Sequence, residues 1–312
     1  MRVRVIDLDG SVAAQEPMRS LCEAGDAVLV PSRELAPSLR ILATRRAMRR
    51  LLETVAAADE NDARGKVARG KVTFYGSGDF HHLTAGLLSR VDVPVTVIHF
   101  DNHPDWVSFP PTFNCGAWVN RALELANVVR VITIGPCSDD LVRPEFKSAN
   151  LRAVCEGRIE IYPWRHAPSR VWGRYAVGAS GRQDGNRIFW RNLANESWID
   201  FLDELTARIP TPAVWITIDK DVLRPGDAVT NWDQGEMSLD HLLGAIAKIG
   251  SHRKIVGADV CGDYSPPVFA DPFRRMLAHF DHPKAPTAPP GVSVNASTNA
   301  VLSSALAEAI AC

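Results

Sequence analysis

The strongest constraint on this chain is an alternation. Short runs rich in β-branched and apolar residues lie at 3–8, 72–75, 95–100, 128–134, 159–162, 214–218 and 255–260. Helical patterns at 83–90, 117–126, 197–208 and 239–249 fall between several of them. The strand-like runs are nearly continuous in apolar content, as strands buried on both faces must be. Strands flanked by helices read as a parallel sheet covered on both sides. The expected class is therefore α/β, with a doubly wound, mostly parallel sheet. No internal repeat or change in composition divides the 312 residues, so 1–312 reads as a single domain. A chain of this length can bury about three quarters of its unfolded surface and needs no disulfide or structural zinc to fold.

Composition narrows the function classes. Hydrophobic residues make up 46% and charged residues 23%, and mean hydropathy is -0.07, which argues against wholesale disorder. Lys plus Arg total 35 against 36 for Asp plus Glu. That balance gives no electrostatic reason to expect nucleic acid or an anionic membrane as a partner. The six cysteines, Cys22, Cys115, Cys137, Cys155, Cys261 and Cys312, form no C-x-x-C pair, and their scatter suits a reducing cytoplasm. The N-terminus meets charge too early for a signal peptide, and no apolar run approaches the roughly 20 residues of a membrane span. A cytoplasmic location is expected.

Three segments stand apart. An amphipathic helix is predicted over 41–55, with Ile41, Met48, Leu52 and Val55 on one stripe and Arg45, Arg46, Arg49 and Arg50 on a solvated face. The Gly- and Arg-rich stretch 178–191 reads as a long loop. Four prolines in 283–290 require an extended segment, followed by a last helix at 295–310 that docks back on the domain.

The residues able to do chemistry follow directly after predicted strands, where open α/β sheets bind their ligands. After the run at 95–100 comes Asp101-Asn102-His103-Pro104-Asp105. In an extended chain alternate side chains point the same way, so Asp101, His103 and Asp105 converge if Pro104 does not turn the chain away. Two carboxylates and an imidazole suit a divalent metal. After the run at 214–218 comes Asp219-Lys220-Asp221, with both carboxylates on one face and Lys220 on the other. Two acids that close repel unless a cation lies between them. After the run at 72–75 comes Gly76-Ser77-Gly78-Asp79-Phe80-His81-His82. It lacks the Lys-Ser/Thr of a nucleotide-binding loop, and consecutive histidines point to different sides, so one of them at most serves a metal. Together the three strand ends supply four carboxylates and two imidazoles. That supply suits two divalent ions sharing bridging carboxylates, with manganese favoured by so oxygen-rich a set.

At this point the sequence resembles a known family. Asp101-Asn102-His103-Pro104-Asp105 looks like the Asp-x-His-x-Asp motif of the arginase/agmatinase (ureohydrolase) superfamily. Thr217-Ile218-Asp219-Lys220-Asp221 looks like its Ser-x-Asp-x-Asp motif, and the stretch 76–83 is similar to its Gly-Gly-Asp-His-Ser-Leu element, in the same chain order. The resemblance covers roughly 71–271. It implies a three-layer αβα arginase-like fold and a hydrolase with two Mn2+ per chain, acting on C–N bonds of linear amidines. It further implies that Asp101 and Asp219 bridge the ions, that His81 and Asp105 complete one site, and that His103 and Asp221 complete the other. Hydroxide would be the nucleophile, oriented by Asp105. Family members are often oligomers, so a homo-oligomer is an open expectation.

The sequence also departs from the family. The Gly-Gly-Asp-His element carries one extra residue, so His81 or His82 could be the ligand, with His81 preferred. Where arginases carry a proton-shuttling His, this chain has Asn114-Cys115-Gly116. Cys115 could shape the pocket as a buried small hydrophobe or act as a nucleophile. The Glu that faces the guanidinium in arginase-like enzymes is not present, and Asp263 is the nearest carboxylate to replace it. These departures point to a guanidino or amidine substrate other than L-arginine. Three alternatives remain open in the sequence. One is a single-zinc, deacetylase-like amidohydrolase of related fold. Another is a non-catalytic metal-binding protein. The third is a haloacid-dehalogenase-like phosphatase, because Asp7-Leu8-Asp9-Gly10-Ser11 resembles that family's first motif. Trp232, within Asn231-Trp232-Asp233-Gln234-Gly235, could pack on a flat substrate or close the loop over the core.

Overall fold

A computed structural model describes residues 2–60, 71–108, 113–281 and 292–311. Eight strands form one sheet: β1 (Arg2–Asp7), β2 (Ala27–Pro31), β3 (Lys71–Phe74), β4 (Val95–Phe100), β5 (Val128–Ile134), β6 (Ile159–Tyr162), β7 (Ala213–Asp219) and β8 (Lys254–Cys261). Their order is β2-β1-β3-β8-β7-β4-β5-β6, and all neighbours are parallel. Every residue of β4 and β7 is buried, which explains why these two read as unbroken apolar runs.

Helices cover both faces. On one side the core takes Met48, Leu51 and Val55 from α2 (Arg45–Glu60), Leu83 and Leu87 from α3 (Leu83–Leu88), and Trp118 and Val119 from α4 (Trp118–Leu123). On the other it takes Met18 from α1 (Glu16–Ala24), Phe201 and Leu205 from α5 (Trp198–Arg208), Leu242 and Ile246 from α6 (Leu239–His252), and Leu302 and Leu306 from α8 (Val292–Ala311). A further helix, α7, spans Pro272–Asp281. The architecture is three-layered αβα, as the motifs implied.

The strand order positions the site. After β3 the chain passes over the places later filled by β8 and β7 before it lays down β4. The carboxyl ends of β3, β8, β7 and β4 therefore lie side by side. They deliver the segments that begin at Tyr75, Gly262, Lys220 and Asp101.

Several sequence expectations need correction. The stretch 178–191 is not a loop. It forms a 3-10 turn at Gly178–Ser180 and a hairpin of Gly181–Asp184 against Arg187–Trp190. Gly185, at φ 55, occupies the tight turn, where glycine meets no Cβ penalty. Ile188 and Trp190 are buried while Arg187 is exposed and Phe189 half-buried, a period-two pattern that marks a half-buried strand. The Ser180 hydroxyl accepts a hydrogen bond from the Ile161 amide of β6, so this hairpin helps cover the last strand of the sheet.

The helix predicted over 41–55 starts four residues later, at Arg45. The Thr44 hydroxyl accepts from the Ala47 amide, a cap that begins the helix there. Ile41 has φ 65. Its backbone joins the Asp79 carbonyl to the Cys115 amide, which takes it out of any helix. The expected basic face is exposed at Arg45, Arg46, Arg49 and Arg50. Several elements had no counterpart in the sequence reading, among them α1, closed by Gly25 at φ 73, β2, ended by Pro31, and α7. The proline-rich 283–290 lies outside the described residues.

Candidate metal centre

Asp101 is the hub. It leaves the end of β4 and is 1% exposed. Its Oδ2 lies 2.9 Å from His81 Nδ1 and 2.9 Å from His99 Nε2. Its Oδ1 accepts from the His103 amide at 2.6 Å and lies 3.4 Å from His103 Nδ1. One carboxylate thus stands among three imidazoles. Burial alone would raise the Asp101 pKa, but the hydrogen bonds of His103, His81 and His99 hold it well below the usual carboxylate range.

Around His81, Asp105 Oδ2 stands at 3.2 Å and Asp219 Oδ2 at 3.7 Å from Nδ1. Around His103, Asp221 Oδ2 stands at 3.0 Å from Nδ1. Local structure explains each placement. His81 follows the 3-10 turn Gly78–Phe80, which Ser77 caps. Asp105 adopts φ 47, a left-handed conformation that Asp tolerates. That turn brings its carboxylate back to His81 after Pro104, and the Trp118 indole holds it at 2.7 Å. Asp219 ends β7 and accepts from the Asp221 amide at 3.1 Å. Asp221 in turn accepts from the Asn102 amide at 3.0 Å, which ties the two acidic loops together.

The structure therefore brings His81, Asp101, His103, Asp105, Asp219 and Asp221 into one cluster, buried except for the half-buried His103. Of the two histidines at 81 and 82, only His81 faces it. His82 is fully buried and its ring nitrogens make no hydrogen bond; burial and then the His81 charge push its pKa down to about 3.

The residues fit divalent ions. His81 Nδ1 is buried with no conventional hydrogen-bond partner while facing three carboxylate oxygens, the environment of a ligating nitrogen. Burial, then repulsion from Asp101, pushes Asp105 up to about 8 and Asp219 up to about 6. Cations placed among these acids would remove that cost. Close packing shapes the acids' surroundings. A Cβ on Gly78 would come within 2.4 Å of Asp219 Oδ2, and one on Gly262 within 2.3 Å of Asp219 Oδ1. Among the described residues three overlapping groups could each hold a metal: His81, His99, Asp101 and Asp105; His81, Asp219 and Cys261; Asp101, His103 and Asp221.

Sequence reasoning missed His99, Cys261 and Asp233. His99 sits two residues before Asp101, so strand alternation already puts it on the ligand side. Cys261 ends β8 beside Asp219, with its thiol 3.3 Å from Asp219 Oδ2. Asp233 meets His103 Nε2 at 3.0 Å through tertiary structure alone.

Of the other two candidate catalytic residues, Asp263 is placed otherwise than expected, whereas Cys115 takes one of its two expected places, that of a buried small hydrophobe. Asp263 does not face the cluster as a free carboxylate. It pairs with Lys220 Nζ at 2.8 Å and accepts from Gln15 at 2.7 Å and from Asn299 at 3.0 Å. Lys220, turned to the opposite face from Asp219 and Asp221, draws it there. Cys115 is 7% exposed and packs with Ile41, beside Leu42, Trp232 and Phe269. The phosphatase-like motif is also otherwise engaged. Asp7 binds Arg33 at 2.7 Å. Asp9 accepts from the Ser77 amide and the Ser265 hydroxyl, and lies 3.4 Å from the buried Arg40. These acids hold loops together.

No family model matches the chain. An uncharacterized protein of Thermotoga maritima is 29% identical over 195 residues, 62% of this chain. The match spans 59% of that relative's length. Solved structures are similar over nearly the whole chain. The arginase from Bacillus cereus superposes with a TM-score of 0.58 at 14% identity, covering 98% of each chain. The arginase from Medicago truncatula gives 0.57 at 14%, over 99% of this chain and 86% of its own. The proclavaminate amidino hydrolase of Streptomyces clavuligerus gives 0.55 at 14%, over 99% and 91%. With its all-parallel eight-stranded sheet, the chain has the fold of the arginase (ureohydrolase) superfamily.

Proposed function

We propose that this protein is a dinuclear, manganese-dependent hydrolase that cleaves a C–N bond of a guanidino or amidine compound, with L-arginine a poor substrate. The observation that carries the reading is Asp101, whose two oxygens face the Nδ1 atoms of His81 and His103. A carboxylate so placed can serve two ions at once. His81, Asp105 and Asp219 would complete one coordination group, and His103, Asp221 and Asp219 the other. The arginase fold supports the reaction class, and the oxygen-rich ligand set supports manganese.

When bound, the ions supply Lewis acidity and lower the pKa of water. The remaining work falls to side chains. Asp105 Oδ2, steadied by Trp118 Nε1, is suited to take a proton from the attacking water and return it to the leaving amine. Asp263, bound to Lys220, cannot clamp a guanidinium in its present arrangement. Among the described residues, Ile41, Cys115, Leu42, Trp232 and Phe269 form an apolar group. Trp232 reaches towards the site, its ring centroid 5.5 Å from that of His103. A substrate with a flat or apolar substituent fits these surroundings better than L-arginine does.

The test is a screen of manganese-loaded protein against guanidino, amidine and amide compounds, with urea, amine and ammonia all followed. Turnover of a guanidino or amidine compound is expected. Robust hydrolysis of an acyl-lysine or a phosphate ester, with no guanidino compound or amidine turned over, would overturn the proposal.

A further inference from the structure

The two histidines of the cluster are oriented from behind, each by a carboxylate outside the ligand set. His103 turns Nδ1 to Asp101 and Asp221 and Nε2 to Asp233 Oδ1 at 3.0 Å. Asp233 is fixed in turn by the Asn102 amide group, which donates to its Oδ2 at 3.1 Å and to its backbone carbonyl at 2.9 Å. His81 turns Nδ1 to Asp101 and Asp105 and Nε2 to the Thr217 hydroxyl at 2.9 Å. That hydroxyl lies 2.8 Å from Asp259 Oδ1.

Asp259 is fully buried on β8, opposite Thr217 on β7. It accepts from Tyr75 Oη at 2.8 Å, Thr84 Oγ1 at 2.8 Å and Trp215 Nε1 at 2.5 Å, besides Thr217. Burial raises the Asp259 pKa, but all four neighbours are neutral donors whose hydrogen bonds favour the ionised form, and an ionised carboxylate is an acceptor only. The single proton of the Thr217 hydroxyl therefore goes to Asp259, and its lone pair is left to accept from His81. His81 must then carry its hydrogen on Nε2, which leaves the Nδ1 lone pair bare. Asp233, also an acceptor, imposes the same tautomer on His103.

We infer that Asp233, directly, and Asp259, through Thr217, are positioning residues that fix both histidines with Nδ1 presented to the metal centre. This rests on the reading of the cluster as a dinuclear site. Neither carboxylate need touch an ion or the substrate. Such outer partners typically contribute a 10–100-fold gain in metal affinity.

The experiment measures manganese binding to the full-length protein by calorimetric titration and elemental analysis, with the electron paramagnetic resonance spectrum as the sign of two coupled ions. Asp233→Ala should weaken one ion about 10–100-fold and leave the other in place, replacing the coupled spectrum with that of an isolated ion. Thr217→Val, nearly isosteric, should weaken the other ion to a similar extent, and Thr217→Ser should restore it. The Ser rescue separates loss of the hydroxyl from loss of packing, and circular dichroism confirms that each variant is folded. If folded Asp233→Ala and Thr217→Val bind both ions as tightly as the parent protein, the inference is wrong and the dinuclear reading stands. If the parent binds two ions and only these variants lose them, while no C–N bond is hydrolysed, the inference stands and the proposed reaction falls. A parent protein that binds fewer than two ions overturns both.

Discussion

Lys220 and Asp263 form an ion pair with 2.8 Å between Nζ and Oδ2, and the two side chains are 0% and 1% exposed. Lys220 also donates to Asn299 Oδ1 of α8, and Asp263 accepts from Gln15 just before α1. The residue between two proposed ligands thus ties the end of β7 to the helices on the far side of the sheet. Removing one partner of a buried pair leaves the other charged and unsolvated, at a cost of about 3–5 kcal/mol. Asp263→Ala should lower unfolding stability by about that much, read by denaturant titration at pH 7. A carboxylate that held the substrate would behave differently: its loss would leave stability nearly intact and act on activity alone.

The acids of the cluster set a pH dependence for the metal-free protein. Asp105 is pushed from 3.8 up to about 8, by burial and then by Asp101. The folded state therefore holds a proton that the unfolded state has already released, so stability falls as pH rises through this range. His81 and His103 act in the same direction. Burial opposes their charge, but the nearby aspartates outweigh it and raise both, so their contribution is also lost as pH rises. His82 and His99, lowered to about 3 and about 4, act oppositely, but only below their ordinary value of 6.5. Between pH 6.5 and 8.5 the metal-free protein should melt at progressively lower temperature. Manganese affinity should rise over the same interval, because binding must displace the Asp105 proton. Melting curves with chelator and with excess manganese check both. A metal-free melting temperature that climbs across this window would contradict the assignment.

The proposed bridging role of Asp219 has a direct test. Asp219→Ala should abolish binding of both ions and all activity, because the lost carboxylate serves both groups. Asp7→Ala should leave metal content and turnover unchanged. Asp7 pairs with Arg33 and accepts from the Gly10 amide, away from the metal-ligating cluster. Elemental analysis of reconstituted variants reads the difference. Full metal content in the Asp219 variant would place the centre elsewhere.

The part of this site that was legible in the sequence is the part made locally. Asp101, His103 and Asp105, like Asp219 and Asp221, alternate at strand ends, and alternation is visible in one dimension. The sheet was legible for the same reason, since β4 and β7 are buried throughout and carry unbroken apolar runs. The partners fixed by tertiary structure were not visible. Asp263 is the nearest carboxylate in its region of the sequence, yet the fold gives it to Lys220. Asp233 and Asp259 reach the two histidines from a distant loop and from a neighbouring strand. Ile41 fits a helical stripe, but its backbone is claimed by Asp79 and Cys115 across the fold.

The extra residue in the 76–83 element gives the last prediction. Two adjacent histidines stood as candidates, and geometry separates them. His81 Nδ1 faces Asp101, Asp105 and Asp219, whereas His82 is enclosed at the start of α3. The Leu39 backbone approaches the His82 ring without a well-aligned hydrogen bond. A buried polar group left unsatisfied costs about 1–3 kcal/mol, and leucine fills a comparable volume without that cost. His82→Leu should therefore keep both ions and be as stable as the parent or more so. It should also change the acid limb of stability. With a folded pKa of about 3 against 6.5 for the free side chain, His82 takes up its proton only on unfolding, so it destabilises the fold as pH falls below 6.5. The leucine variant lacks that term and should lose less stability between pH 6.5 and 4 than the parent does. His81→Ala should do the reverse, sparing the acid limb attributable to His82 while losing one ion. Metal analysis and melting curves at pH 4.5 and 6.5 on the two variants decide the matter, and loss of metal from His82→Leu would exchange the two assignments.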